Sequence, residues 1–189
     1  MRTSSLIIES AREVFLQKGY AGARIDDIAE EAGVSRASFY SYFPSKRDLL
    51  LELGRRTASA IDECLDEVET IAAKDGDDVI SDIVRAYLRF LDVHGAFLLV
   101  WGQATFADES LARAGMKTRL VSARRFARIL QRMRGVEDES DDDPARVGLA
   151  LLVMMDRYWS YWRVNSFPFT EDQVVETLAG ICRSVVDSF

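Results

Sequence analysis

Apolar positions recur at helical spacing from the first residues onward. Ile7, Ala11, Val14 and Phe15 share one face, and Gly19 after Lys18 is a stop signal, so a first helix is predicted. A short stripe of Ile25, Ile28, Ala29 and Ala32 follows, with Asp26 and Asp27 near its positive N-terminal end and Gly33 to supply the left-handed residue that stops it. That is a two-turn helix. Ser35 can cap a third helix, which runs to Phe43 because Pro44 disfavours helical geometry in the residue before it. Ser45 and Asp48 have capping-box spacing and open a long fourth helix through Leu49, Leu50 and Leu53.

The remaining pattern predicts helices at about 46–73, 77–93, 95–106, 108–134, 144–165 and 171–188, give or take roughly two to four residues at each end. Polar stretches near Asp75 to Asp78 and Glu137 to Asp143 separate them. Val147 to Met155 is an unbroken apolar run, which predicts a helix buried all round, and Asp143 with Pro144 forms its cap and first-turn proline. The final helix carries Val174, Val175, Leu178, Ile181, Cys182, Val185 and Val186, a stripe broad enough for its own chain and a second one. Completion of a monomeric core fits the same stripe.

The composition agrees with an all-α protein of one or two compact units: 189 residues, 48% hydrophobic, three prolines. No apolar run reaches the roughly 18 residues of a membrane span, and the opening residues run straight into a helix rather than a leader, so a cytoplasmic location is expected. Cys64 and Cys182 lack ligand spacing and read as buried thiols. No cofactor or metal is expected. The net charge of −7 excludes indiscriminate coating of nucleic acid, yet residues 1–56 hold nine Lys/Arg against eight Asp/Glu, and the other residues 15 against 23. If DNA is a partner, only the first quarter can meet phosphates.

Helix, three-residue turn, helix is the frame that sets its second helix in a major groove. The polar groups Ser35, Arg36, Ser38, Tyr40, Ser41 and Tyr42 on that helix can donate to phosphates or base edges, with Arg36 the best base reader, while Ala37 and Phe39 suit packing. Lys46, in the first turn of the fourth helix, is placed to attract a phosphate. A packed bundle end with Phe39 and Tyr40 as core and Arg36 as solvated surface accounts for each residue singly, but not for the joint succession of caps, turn and spacing.

The segment Ile25 to Leu50, through Ile28-Ala29, Ala32-Gly-Val-Ser35, Tyr40, Phe43-Pro-Ser-Lys46 and Leu49, resembles the DNA-binding segment of the TetR (tetracycline-repressor-type) family. The resemblance implies an all-helical dimer of about nine helices per subunit. It implies backbone contacts from Tyr40 and Lys46, a groove-facing Arg36 and Ser38, and a four-helix bundle made by the last two helices of each subunit. Arg24 stands where the family usually has a threonine, a poor cap but a competent phosphate donor. The expected division is a helix-turn-helix domain at 1–48 and a helical ligand-binding and dimerisation domain at 49–189.

In the second part, Phe97, Trp101, Gln103, Met155, Tyr158, Trp159 and Trp162 are the residues chosen to line a pocket for an apolar small-molecule effector, although core packing is the commoner role for any one of them. His94, the sole histidine, precedes Gly95 and reads as a helix end, with ligand contact or pH sensing as the alternatives. Arg119, Arg124, Arg125, Arg128, Arg132 and Arg134 form the basic face of an amphipathic helix; receipt of an anionic ligand is the other reading. The acidic run 137–143 lacks the spacing and glycine of a calcium loop. With one histidine, no glycine-rich phosphate loop and no nucleophile motif, an enzyme is disfavoured, and a protein-binding or ligand-storage helical module that has lost DNA binding is the remaining rival. The expected function is a homodimeric regulator, a repressor released from a palindromic DNA operator by an apolar effector.

Overall fold

The computed structural model describes residues 3–74, 76, 78–135 and 143–188, without the side chain of Ala107. The described residues form eight α-helices: α1 Thr3–Gly22, α2 Ile25–Glu31, α3 Arg36–Tyr42, α4 Lys46–Ala72, α5 Val79–Ala107, α6 Glu109–Met133, α7 Ala145–Trp159, which continues into a π-helical turn Ser160–Val164, and α8 Glu171–Val186. The all-α class is as expected. The acidic run 137–142 and Asp75 and Asp77 lie outside the described residues.

The local signals of the first quarter act as the sequence implies. Gly19 breaks the helical geometry of α1 with φ 68 and ψ 167, a conformation only glycine adopts cheaply. Gly33, at φ 62, ends α2. The Ser35 hydroxyl accepts the Ser38 amide at 3.0 Å, and α3 stops two residues before Pro44. At α4 the Ser45 hydroxyl accepts the Asp48 amide at 3.1 Å and donates to the Asp48 carboxylate at 2.6 Å.

Four expectations are corrected. The predicted break at His94-Gly95 is absent, because α5 runs unbroken from Val79 to Ala107; this removes one of the nine expected helices. A Cβ at position 95 would lie 2.6 Å from the Trp159 ring, so the glycine serves close packing rather than helix termination. His94 therefore sits inside a helix, with its ring 5.0 Å from that of Phe90, and is not a helix end. Nor is α7 buried all round: Ala150 is exposed and Val153 is 50% exposed, so the apolar run exceeds what one chain covers.

The chain forms two compact units, one of residues 1–58 with 96–115, the other of 59–95 with 116–189. The core of the first combines Ile7, Phe15, Ile28, Phe39, Leu49 and Leu53 with Phe97, Val100, Ala104 and Leu111 from the α5–α6 corner. The second buries Leu65, Tyr87, Leu91, Phe126, Leu130, Leu152, Met155 and Leu178. Cys64 and Cys182 are free thiols within it, pushed up to about 12 and about 11 by burial, as expected of cysteines used as small apolar groups.

Candidate nucleic-acid interface

The candidate interface is built on α2, α3 and the start of α4. Phe39 is fully buried and packs edge-on against Tyr40 and tilted against Phe43, with ring centres 5.6 and 6.0 Å away, so one side of α3 is fixed to the core. The other side presents Ser35, Arg36, Ala37, Tyr40, Ser41 and Tyr42 to solvent, with Ser38 half-buried. Two tyrosines over 40% exposed on a seven-residue helix are large apolar surfaces with polar tips, suited to lie against a sugar-phosphate backbone.

Arg36 and Lys46 each have partners that their positions in the sequence did not announce. One Arg36 amino group, Nη1, donates to both Asp26 carboxylate oxygens at 2.8 Å, and Nη2 approaches the Tyr40 hydroxyl at 3.5 Å, with the guanidinium carbon 5.7 Å from the Tyr40 ring centre. The Tyr40 hydroxyl and then the Asp26 carboxylate raise the guanidinium pKa further above its ordinary value. The Lys46 ammonium donates to the carbonyls of Tyr20 and Ala23, at 2.6 and 2.8 Å, and lies 4.6 Å from the Tyr20 ring centre. Burial lowers its pKa and also raises that of the Tyr20 hydroxyl. Two of the three ammonium donors of Lys46 thus tie α4 to the end of α1, which leaves one for a phosphate.

Arg24 caps α2 by a different route from a threonine. Its side chain is exposed and its backbone N–H donates to the Asp27 carboxylate at 2.8 Å, so the acceptor comes from the third helical residue rather than from the cap itself. Lys18 pairs with the same carboxylate at 2.8 Å and, followed by the Arg24 amide, holds the Asp27 pKa below its usual value. In the same unit Arg47 binds Asp108 at 3.0 Å and the Ser110 hydroxyl at 2.6 Å.

The residues expected to line a pocket fall into separate groups. Phe97, Trp101 and Gln103 belong to the first unit, where Phe97 is core, Gln103 is exposed, and Trp101 fills a slot that a Cβ on Gly54 would enter at 2.8 Å from its ring. Met155, Tyr158, Trp159 and Trp162 belong to the second, where Tyr158 is half-buried and the others buried. Both indole N–H groups there are used, by Asp92 for Trp159 and by the Phe169 carbonyl for Trp162, each at 2.8 Å.

Sequence reading missed a buried polar triad in the second unit. The Asp156 carboxylate accepts the Tyr87 hydroxyl at 2.7 Å and pairs with Arg119. Burial pushes the Asp156 and Tyr87 pKa values up. The partners are 69 and 37 positions apart, so no local pattern could reveal them. The basic face of α6 is likewise matched by carboxylates, Arg124 by Asp143, Arg125 by Asp66 and Glu69, and Arg132 by Glu69, and just beyond the helix Arg134 pairs with Asp187.

Residues 7–53 match the family described as "Bacterial regulatory proteins, tetR family". An uncharacterized HTH-type transcriptional regulator, YuxN of Bacillus subtilis, is 50% identical over 48 residues, which are 25% of this chain and 16% of that protein, so the match spans less than two thirds of that relative. The HTH-type transcriptional activator FasR of Mycolicibacterium smegmatis is 26% identical over 178 residues, covering 93% of this chain and 78% of FasR. In fold, the chain is similar to a transcriptional regulator of the "TerR/AcrR family" from Aquifex aeolicus, at a TM-score of 0.73 and 20% identity over 97% of this chain and 99% of that one. It is residues 7–53, the segment that carries α2, α3 and the start of α4, that match the tetR family of bacterial regulatory proteins, and the likeness over the whole chain is one of fold.

Proposed function

We propose that this chain is a ligand-responsive, sequence-specific DNA-binding transcription regulator that acts as a homodimer, with the DNA-reading function in residues 1–48 and effector binding and dimerisation in 49–189. The observation that carries the reading is the exposed polar face of α3, with Arg36 and the two tyrosines on a helix anchored by Phe39, inside the segment that matches the tetR family. A helix so presented can enter a major groove, with Arg36 and Ser38 facing the groove and Arg24, Ser35, Tyr40, Tyr42 and the remaining Lys46 donor toward the backbone.

Dimerisation is supported by apolar surface left open on the last two helices. On and just after α7, Val153, Tyr161 and Val164 are 50%, 51% and 55% exposed, and on α8 Ile181 is 41% exposed. A second copy would cover this surface and place two α3 helices on a palindromic operator. For the effector, Met155, Tyr158, Trp159 and Trp162 offer apolar surface in the second unit, and Phe97, Trp101 and Gln103 are the candidates in the first. An apolar molecule that favours one arrangement of the chain would weaken operator binding by a coupling of about 1–3 kcal/mol, the behaviour of a repressor released by its ligand. The resemblance to FasR, named an activator, supports a second reading in which bound protein raises transcription. No helix among the described residues is long and apolar enough to cross a membrane, and neither reading requires one.

Selection of bound duplexes from a random pool tests the proposal. A palindromic winner is expected, with affinity falling steeply as salt rises and reduced about 10- to 100-fold by Arg36→Ala, the loss that fits one bidentate base contact. A pool without enrichment, or an Arg36→Ala protein that binds the winner as wild type does, refutes it.

A further inference from the structure

Asp26 lies on α2, outside the recognition helix, yet its carboxylate determines where the Arg36 guanidinium sits. A guanidinium carries five N–H donors. Asp26 engages Nη1 with both oxygens at 2.8 Å, and the Tyr40 hydroxyl approaches Nη2 at 3.5 Å. The N–H of Nε and the parallel N–H of Nη2 form the other edge of the fork, suited to a bidentate pair of acceptors.

We propose that Asp26 is a positioning residue that sets the base specificity of Arg36: by holding Nη1 it leaves the Nε–Nη2 edge for paired acceptors such as O6 and N7 of a guanine. This rests on the DNA-reading function proposed above. Two effects of the carboxylate work in the same direction. It orders a long side chain before DNA arrives, which lowers the cost of ordering it on recognition. It also places a negative charge beside the reading arginine, so that a phosphate at the same place is repelled, whereas neutral base acceptors are not. Specific binding therefore gains and non-specific binding loses. Both side chains are more than half exposed, at 59% and 61%, so the pair adds little to the stability of the fold and its removal leaves α2 and α3 intact.

The test compares the full chain with Asp26→Asn, Arg36→Ala and the double variant, each titrated with the selected duplex and with a shuffled duplex of the same composition, beside thermal melting. Asp26→Asn is expected to lower the ratio of the two affinities about tenfold, with unchanged or tighter binding of the shuffled duplex and an unchanged melting temperature. In the Arg36→Ala background the same substitution leaves the ratio where it was. A parallel change on both duplexes, or a loss of ratio that persists without Arg36, overturns the assignment while DNA reading itself stands. If the wild-type chain enriches no duplex, the assignment falls together with the function on which it rests.

Discussion

On α2 and α3 the pair Arg36–Asp26 keeps 59% and 61% of its side-chain surface in water, while in the second unit the pair Arg119–Asp156 keeps 24% and 21%. The same two residue types therefore serve opposite ends. The exposed pair is held in place at little energetic consequence, because water screens both its formation and its loss. The buried pair has been taken out of water and is committed, since removal of either member strands the other in a medium of low polarity. The second unit holds most of the arginines of α6 in intrachain pairs, which explains how a chain with a net charge of −7 can carry a basic helix that no anion need neutralise.

The largest expected effect breaks the buried side of this contrast. Asp156→Ala leaves Arg119 without its carboxylate and the Tyr87 hydroxyl without its acceptor, and about 3 kcal/mol of stability should be lost, read from urea unfolding. An unchanged unfolding midpoint would show that water reaches this triad and that the two pairs are alike. Next, Gly95→Ala sets a methyl group 2.6 Å from a Trp159 ring that Asp92 holds by its N–H, and about 1–3 kcal/mol should be lost to overpacking, seen as a lower melting temperature. A gain in stability, as expected of alanine in a plain helix interior, would show that Trp159 moves aside freely.

The smallest effect concerns a pair of intermediate exposure within the first unit, Arg47–Asp108, which keeps 43% and 30% of its side-chain surface in water. Asp108 sits at about 2 against an ordinary 3.8, held down by the Ser110 hydroxyl first and then by Arg47. The native state therefore binds fewer protons there than the unfolded chain, and the stabilising contribution, complete above about pH 4, is lost as pH falls through 3.8 to 2. Asp108→Asn should flatten the dependence of melting temperature on pH over that interval and leave it unaltered near neutrality. A variant with the wild-type slope would show that other carboxylates govern acid unfolding.

How much was legible follows the distance over which each interaction acts. The caps at Ser35 and Ser45, the stops at Gly19 and Gly33 and the end of α3 before Pro44 were readable because each is set by atoms within four residues along the chain. The helical class and the helix-turn-helix spacing rest on such signals, and so does the resemblance to the tetR family. At Gly95 the same local rule misled: a glycine after a histidine looks like a stop, but the close approach of Trp159 required it, 64 positions away. Asp26, ten residues before Arg36, escaped notice for the same reason, as did the carbonyls that take two donors of Lys46 and the triad around Asp156.

The sequence by itself thus determined where helices begin and end in the first quarter and where apolar and polar positions alternate along them. Only the tertiary structure decided which partner each charged group holds, that α5 passes through Gly95 without a break, and which aromatic residues share a unit. Turn and cap energies depend on neighbours along the backbone, whereas burial and ion pairing depend on neighbours in space, which the order of residues does not name.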